Sequence, residues 1–225
     1  MFYKGESESM SIKVKNYTKR IKGRDVLRNI NIEFENGIVY GIKGINGSGK
    51  TMLIRAICGL ITATSGLIEI DGKVIGKDIS FLNNVGILIE NPAFIDHYTG
   101  FYNLKLLASI KSLIDEEEIK NTILKVGLDP LDNKKYRKYS LGMKQRLGIA
   151  AAIMEKPDVL LLDEPTNALD FEGITMLKNI ISEMSDKKRI IILTSHDESF
   201  LNALCNVIIH MEDGEIINVE KIIEE

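Results

Sequence analysis

An eight-residue segment in the first quarter of the chain has the residue types and spacing of a phosphate-binding loop. Residues 44–51 read Gly-Ile-Asn-Gly-Ser-Gly-Lys-Thr and fit the pattern G-x-x-x-x-G-K-[ST]. Glycines let backbone N–H groups converge on phosphate oxygens where a Cβ would obstruct them. Lys50 adds a mobile cation, and the following helix points its positive end at the anion. The sequence predicts that a nucleotide is held by these residues: Gly44, Asn46, Gly47, Ser48, Gly49, Lys50, Thr51 and Met52.

A second polar cluster follows a short apolar run. The run Val-Leu-Leu-Leu at 159–162 predicts a strand buried on both faces, and Asp163 and Glu164 stand at its end. A buried acid is costly unless a cation compensates it, and Mg²⁺ bound to the Thr51 hydroxyl would do so. We therefore expect Asp163 and Thr51 to be metal ligands and Glu164 to be the general base that polarises water. The alternative, a helix N-terminus carrying ordinary acids, is disfavoured by the loop upstream.

The hydrophobic pattern around these segments predicts an α/β fold. Residues 11–36 alternate as antiparallel strands do, and residues 66–72 form another strand closed by an Asp-Gly turn. Apolar runs at 38–42, 159–162 and 190–193 alternate with helical segments, which indicates a largely parallel sheet with the nucleotide at the carboxyl ends of its strands. A last hairpin is expected about Asp213 and Gly214.

Helical periodicity predicts where the helices lie and what they bury. The helix after the loop, residues 51–60, is expected to bury Leu53, Ala56, Ile57 and Leu60. Helices at 103–114 and 116–126 fall in a helical lobe that interrupts the sheet over residues 91–156. Their buried faces are expected to carry Leu104, Leu107, Ala108, Ile119, Ile123 and Val126.

Composition narrows the class of protein. The 225 residues include 44% apolar side chains, enough for a sizeable core, and the net charge of −3 produces no field that favours nucleic acid. The basic patch at 134–138 is short, so we expect a solvated loop and no nucleic-acid partner. Cys58 and Cys205 are too few for a disulfide framework. With no 18-residue apolar run, a cytosolic chain is expected. We leave residues 1–10 outside the fold as a flexible segment and assign residues 11–225 to one domain.

These motifs, taken in order, resemble the ATP-binding cassette ATPases. The segment Tyr-Ser-Leu-Gly-Met-Lys-Gln-Arg at 139–146 occupies that family's signature position, and Ser195-His196 matches its switch histidine. The resemblance covers residues 11–219. It implies a P-loop NTPase cassette with a mostly parallel core sheet, an N-terminal antiparallel β subdomain and an inserted α-helical lobe. It also implies ATP hydrolysis with ATP and Mg²⁺ as cofactors.

The resemblance further implies that two cassettes act together, as a homodimer or another pair. They would close head-to-tail, so that Ser140 and Gly142 of one chain cap the γ-phosphate bound by the other. His196 would bridge that phosphate and the partner's Asp170 region. Each chain would then carry half of each active site.

Two departures from the family pattern bear on the choice of nucleotide and on catalysis. The position that often carries an aromatic residue stacked on adenine is Ile21 here, so ATP and GTP both stay open unless Tyr17 supplies the ring. The loop that leads into the helical lobe usually carries glutamine, and here it carries Glu90. A carboxylate is a harder Mg²⁺ ligand than an amide, so we expect Glu90 to act in catalysis and metal binding.

Glu90 and the signature segment make the chain similar to the cassettes of bacitracin-type and lantibiotic self-protection exporters. This implies an ATPase subunit on the inner face of the cell membrane, powering export of an antimicrobial peptide or drug through a separate integral-membrane permease. Aromatic residues after Glu90 suit a groove for that permease: Phe94, Tyr98, Phe101 and Tyr102. The alternative is a non-transport cassette that remodels a soluble assembly, as in iron–sulfur biogenesis.

Overall fold

The structure is a computed structural model that describes residues 10–90, 92–186 and 188–222. The segment at 1–10 that was predicted to be flexible lies outside these ranges except for Met10. Within them, ten strands form two sheets, one of four strands and one of six. This confirms the α/β class.

The smaller sheet is antiparallel and has the order β2-β1-β4-β5. Its strands are β1 Ser11–Ile21, β2 Arg24–Glu35, β4 Ser65–Ile70 and β5 Lys73–Val74. Alternate residues such as Ile12, Val14 and Phe34 are buried because one face of the sheet packs on the core while the other faces solvent. The antiparallel β subdomain predicted near the N-terminus is therefore confirmed.

The larger sheet has the order β10-β9-β3-β8-β7-β6 and is parallel except for β10. Its strands are β3 Ile38–Lys43, β6 Val85–Leu88, β7 Val159–Asp163, β8 Ile190–Ser195, β9 Val207–Glu212 and β10 Glu215–Lys221. Along β7, Leu160 and Leu162 pack into one hydrophobic cluster while Val159 and Leu161 pack into another. The sheet is thus buried on both faces, and the carboxyl ends of β3, β8 and β7 lie side by side.

Six α-helices complete the fold of the described ranges. They are α1 Lys50–Ile57, α2 Gly100–Lys111, α3 Glu116–Lys125, α4 Leu141–Ile153, α5 Phe171–Met184 and α6 Glu198–Asn202. Helices α2 to α4 come between β6 and β7, where the lobe at 91–156 was predicted. Its first residue, Asn91, lies outside the described ranges, and the domain boundaries stay predictions. Among the described helices, none has the length and apolar character to cross a membrane.

Two residues that were predicted to face inward, Leu60 and Leu107, are exposed. Helix α1 ends at Ile57, and the N–H of Leu60 turns back to the carbonyl of Arg55, which leaves the Leu60 side chain 54% exposed. Helix α2 buries Leu104 and Ala108 as expected, but Leu107 is 36% exposed. Helical periodicity cannot show how wide a stripe the neighbouring element covers, so residues at the edge of the stripe were misassigned.

Candidate functional site

The phosphate-binding loop joins β3 to α1 and needs glycine at fixed points. A Cβ on Gly44 would lie 2.4 Å from both the Ser48 hydroxyl oxygen and the Met211 carbonyl oxygen. Gly49 has φ +107°, in the left-handed region that glycine adopts readily. These local requirements explain why glycine stands at both positions. They also bring the loop backbone close to the space above the sheet.

The start of α1 is open to an anion. Its N-cap, Gly49, supplies no side-chain hydrogen bond, and the first turn holds no acidic residue. The N–H groups and the positive end of the helix dipole therefore lack a partner within the helix. The Lys50 ammonium, 5% exposed, donates to the Gly44 carbonyl at 2.6 Å and to the Ile45 carbonyl at 3.3 Å. The buried Ser48 hydroxyl has no hydrogen-bond partner among the described residues. All of these features fit phosphate.

A cavity of about 330 Å³ lies over the loop and is lined by most of the loop residues that were predicted to bind nucleotide, though not by Gly44 or Ser48. The loop contributes Asn46, Gly47, Gly49, Lys50, Thr51 and Met52 to its lining. Other walls come from Arg24, Asp25 and Val26 at the start of β2, and from Asp213 and Gly214 in the β9–β10 turn. Glu164 also lines the cavity, so the phosphate loop and the acidic strand end share one space.

Asp163 and Thr51 meet on the metal side of this cavity. Asp163 is 3% exposed, and its Oδ2 accepts a hydrogen bond from the Thr51 hydroxyl at 2.7 Å. Within the described ranges, no cation lies within ion-pair distance of this buried carboxylate. A buried acid beside a hydroxyl fits a hard cation such as Mg²⁺. Among the described residues, no three or more His, Cys, Asp or Glu side chains are grouped so that they could hold a metal ion. Mg²⁺ needs few protein ligands when a substrate phosphate supplies others.

Glu164 is held in a strained backbone conformation that sends its carboxylate into the cavity. Its φ is +46°, which is rare for a residue with a side chain. Oε2 lies 3.0 Å from His196 Nδ1, and Oε1 lies 3.3 Å from Lys50 Nζ. Oε1 is buried and makes no hydrogen bond of good geometry in the described part of the chain. Among the described residues, Oε1 therefore has no hydrogen bond to lose when it accepts a proton from water, and the Lys50 ammonium offsets its charge.

Thr194 is the site residue that sequence reasoning missed. It lies directly opposite Asp163 in the register of β7 and β8 and is fully buried. Its Oγ1 donates to Asp163 Oδ1 at 2.6 Å and accepts from the Glu164 N–H at 2.8 Å. The sequence placed Thr194 at a strand end, just before Ser195-His196. Only the strand order showed which residue it faces.

Glu90 is placed differently from the other predicted site residues. Its Oε1 accepts a hydrogen bond from Arg55 Nη2 at 2.7 Å, and its side chain is 60% exposed. Its φ is +55°. In the described contacts the carboxylate meets this arginine of α1 and does not join Thr51 and Asp163. The structure therefore shows Glu90 as a link between the turn after β6 and α1, while its role in metal binding stays a prediction.

The signature residues lie away from the cavity over the loop. Ser140 caps α4, because its Oγ accepts the N–H of Met143 at 3.2 Å, and a Cβ on Gly142 would lie 3.0 Å from the Ala168 carbonyl. Neither residue is in the lining of the cavity that holds Lys50. A single chain therefore does not bring the loop and the signature segment together.

Asp170 sits at the head of α5, close to the signature helix. Its Oδ1 accepts the N–H of Gly173 at 2.8 Å and an N–H of Arg146 at 2.9 Å. The Gly173 hydrogen bond and the Arg146 guanidinium lower the pKa of Asp170. Because Asp170 stays ionised and exposed, it can offer a fixed negative charge to a neighbouring molecule.

The sequence model of the family described as "ABC transporter" matches residues 27–167, which is more than half of the chain. The chain belongs to this family. It is an ATP-binding cassette that binds and hydrolyses ATP, and the resemblance inferred from its motifs is confirmed.

Curated relatives of the cassette span nearly its whole length. The uncharacterized ABC transporter ATP-binding protein YybJ of Bacillus subtilis is 47% identical over 94% of this chain and 97% of its own. The bacitracin transport ATP-binding protein BcrA of Enterococcus faecalis is 36% identical over 95% of this chain and 70% of its own. The lantibiotic transport ATP-binding protein SrtF of Streptococcus pyogenes is 34% identical over 92% and 89%. These names do not favour the soluble-assembly alternative.

A solved structure shows the same fold. The dimeric post-hydrolysis state of the ATP-binding cassette MJ0796 bound to ADP and Pi superposes with a TM-score of 0.81 and 25% identity, over 95% of this cassette and 100% of that chain. That structure holds the hydrolysis products ADP and Pi on a cassette of this architecture. The predicted P-loop NTPase cassette fold is confirmed.

The position of Tyr17 shows whether this residue supplies the aromatic ring that Ile21 lacks. Tyr17 is 3% exposed, its hydroxyl donates to the Ile61 carbonyl at 3.2 Å, and burial raises its pKa to about 12. It is packed in the core and does not line the cavity of the cassette. Ile21 is 39% exposed at the end of β1. No aromatic side chain therefore lines the described cavity, and the choice between ATP and GTP depends on other contacts.

Proposed function

We propose that this cassette powers the export of an antimicrobial peptide through a separate integral-membrane permease, as a peripheral subunit on the inner face of the cell membrane. The observation that carries the proposal is the match of almost the whole chain to BcrA and SrtF, whose names state bacitracin and lantibiotic transport. A further support is Glu90, which the chain carries at the loop between sheet and lobe. Nucleic acid is not part of the proposal.

The site residues divide the work of hydrolysis among them. Lys50 and the N–H groups of the loop bind the phosphates, and Thr51 with Asp163 holds Mg²⁺. When bound, Mg²⁺ neutralises charge on the phosphate oxygens. Glu164 accepts a proton from the attacking water through Oε1, which makes no hydrogen bond to a described residue and lies 3.3 Å from the Lys50 ammonium. His196, 3.0 Å from the other carboxylate oxygen, orients that carboxylate.

Two copies of the cassette complete each other's sites. The proposal is supported by the absence of Ser140 and Gly142 from the lining of the cavity that holds Lys50. Ser140 stands at the start of α4 as its N-cap. The positive end of the α4 dipole lies at that start and can face the γ-phosphate bound by the other copy. The dimeric MJ0796 structure provides a precedent for pairing of cassettes.

Beside the signature segment lies a groove that suits the permease. Its volume is about 720 Å³, and its lining includes Phe94, Tyr136 and Leu141. Leu141 is 72% exposed, and Lys144 Nζ lies 5.0 Å from the centre of the Tyr136 ring. Of the aromatic residues predicted for this groove, Phe94 is in its lining, whereas Tyr98, Phe101 and Tyr102 are not. An apolar groove edged by Asp96 and Lys144 suits a cytoplasmic segment of the permease.

A mixing experiment tests the pairing of half-sites. Lys50→Ala removes the cation of the loop, and Ser140→Asp keeps a good helix cap while placing a negative charge against the phosphate. We expect each variant alone to lose ATPase activity. An equal mixture should recover about a quarter of the parental rate, because half of the pairs then contain one intact site. Ser140→Asn, which keeps the cap without the charge, is the matched control. No recovery in the mixture would refute the shared site.

The transport role needs a membrane experiment. The cassette is expressed with the membrane protein encoded beside it, purified in detergent and assayed for ATP hydrolysis with bacitracin, a lantibiotic and no addition. We expect co-purification and stimulation by a peptide antibiotic. A cassette that instead purifies with a soluble assembly, and that responds to no peptide, would overturn the export proposal in favour of the remodelling alternative.

A further inference from the structure

One buried hydroxyl joins the two acidic residues of the site. Thr194 Oγ1 donates to Asp163 Oδ1 at 2.6 Å and accepts the N–H of Glu164 at 2.8 Å. From this we infer that Thr194 is a positioning residue of the hydrolysis reaction, which fixes the metal-side carboxylate and the general base relative to each other. The inference rests on the roles proposed above for Asp163 and Glu164.

The first effect of Thr194 is on the orientation of the Asp163 carboxylate. Asp163 Oδ2 accepts the hydroxyl of Thr51 at 2.7 Å, and Oδ1 accepts the hydroxyl of Thr194. The terminal torsion of an aspartate is soft, so a carboxylate held on one oxygen alone can swing. With both oxygens held, Oδ2 faces Thr51, which is where Mg²⁺ would bind. Removing a residue that hydrogen-bonds a metal ligand typically changes metal affinity by about 10–100-fold.

The second effect is on the backbone of Glu164. The paired register of β7 and β8 ends at Asp163 and Thr194, so the next N–H along the chain has no strand partner. Glu164 has φ +46°, a left-handed conformation that is strained for a residue with a Cβ. The Thr194 hydroxyl accepts this N–H and so stabilises the turn. That turn sends the Glu164 carboxylate towards Lys50 and His196.

A threonine suits this position for two reasons. Its single hydroxyl uses the hydrogen for Asp163 and a lone pair for the Glu164 N–H, so one orientation serves both. Its branched Cβ restricts χ1, which keeps the oxygen in place between the strands. Valine has the same shape and offers neither interaction, whereas serine keeps the hydroxyl and loses the methyl group. These two residues therefore separate the hydroxyl from the packing.

The experiment measures metal affinity without hydrolysis. Free Mn²⁺ is followed by electron paramagnetic resonance while it is titrated with protein and a non-hydrolysable ATP analogue. We expect Thr194→Val to weaken Mn²⁺ binding by about 10–100-fold. Thr194→Ser should retain most of the affinity. Binding of the analogue in EDTA should stay within about two-fold of the parent.

The control is a threonine that is remote from the site. The Thr122 hydroxyl donates to the Glu118 carbonyl within α3, and Thr122→Val should leave Mn²⁺ affinity unchanged. Thr194→Ala is a second hydroxyl-free variant, so the test does not depend on the valine variant folding. Parental Mn²⁺ affinity in either hydroxyl-free variant refutes the positioning role. So does a Thr194→Ser variant as weak as Thr194→Val, because the hydroxyl would then not be the active group.

The same titration separates this inference from the proposal beneath it. If the parental chain adds nothing to the Mn²⁺ binding of the nucleotide alone, the metal site proposed at Thr51 and Asp163 is wrong, and the role of Thr194 falls with it. If the parent binds Mn²⁺ and the hydroxyl-free variants bind it equally well, the metal site stands and Thr194 alone has been misassigned.

Discussion

Glu164→Gln is the substitution that tests the chemistry of the site most directly. Glutamine keeps the size and shape of the side chain, so the packing around residue 164 should be preserved. It removes the negative charge and with it the ability of Oε1 to accept a proton from water. Lys50, 3.3 Å from that oxygen, still donates to the carbonyls of Gly44 and Ile45. We therefore expect a folded protein that binds nucleotide and hydrolyses it slowly.

The expected size of the effect follows from the role of a general base. Proton transfer by a positioned side chain accounts for about 10²–10⁴-fold in rate. This corresponds to roughly 3–5 kcal/mol in activation free energy. The free energy of unfolding should change by about 1 kcal/mol or less, since the Lys50 ammonium keeps its other partners. Nucleotide affinity should not fall, because the lost charge has the same sign as the phosphates.

The assay compares phosphate release at saturating Mg-ATP with binding of a fluorescent ATP analogue in EDTA. Glu198→Gln is the matched control, because Glu198 pairs with Lys43 on the surface at 2.7 Å and its side chain is 62% exposed. Its hydrolysis rate should equal that of the parent. If Glu164→Gln also hydrolyses ATP at the parental rate, Glu164 is not the base. A loss of nucleotide binding in parallel with activity would instead assign Glu164 to binding.

Three further predictions concern the loop, the base and the thiols. Glu90→Gln should keep the fold, nucleotide binding and part of the ATPase activity while weakening the stimulation of hydrolysis by transported peptide; complete loss of nucleotide binding would contradict this. Ile21→Tyr should tighten ATP binding in a fluorescence titration by about five-fold or more, since a ring can then stack on the base, and an unchanged affinity would show that the base lies elsewhere. Burial raises the pKa of Cys58 and Cys205 to about 12, above the 9.0 of a free thiol, so both should resist iodoacetamide at pH 8 until the chain unfolds. The stabilisation that comes from burying the two neutral thiols is full below pH 9 and is lost as pH rises towards 12. Rapid iodoacetamide labelling of the native protein, detected by mass spectrometry, would refute this burial.

Local sequence was enough wherever the chemistry depends on neighbours along the chain. The phosphate-binding loop is contiguous, so its glycines, Lys50 and Thr51 could be assigned from spacing alone. The buried run of β7 likewise predicted the position of Asp163 and Glu164. The signature segment was recognised by its order, although its separation from the cavity became visible only in the structure.

The contacts between distant segments could not be read from the sequence. Thr194 faces Asp163 because β8 inserts between β3 and β7, and no local pattern encodes this strand order. Glu90 meets Arg55 because the turn after β6 passes near α1. Tyr17 is held in the core, where its hydroxyl donates to the carbonyl of Ile61 in the segment between α1 and β4.

The sequence by itself therefore determined the chemical groups of the site, the class of fold and the family. Local rules suffice there, because a glycine-rich turn, a helix start and a buried strand each depend on a few consecutive residues. Only the tertiary structure decided which hydroxyl each oxygen of Asp163 accepts, which partner holds Glu90 and which side chains line the cavity. Those features depend on strand order and on the packing of elements that are far apart in the chain, and pairwise contacts of this kind leave no periodic signal.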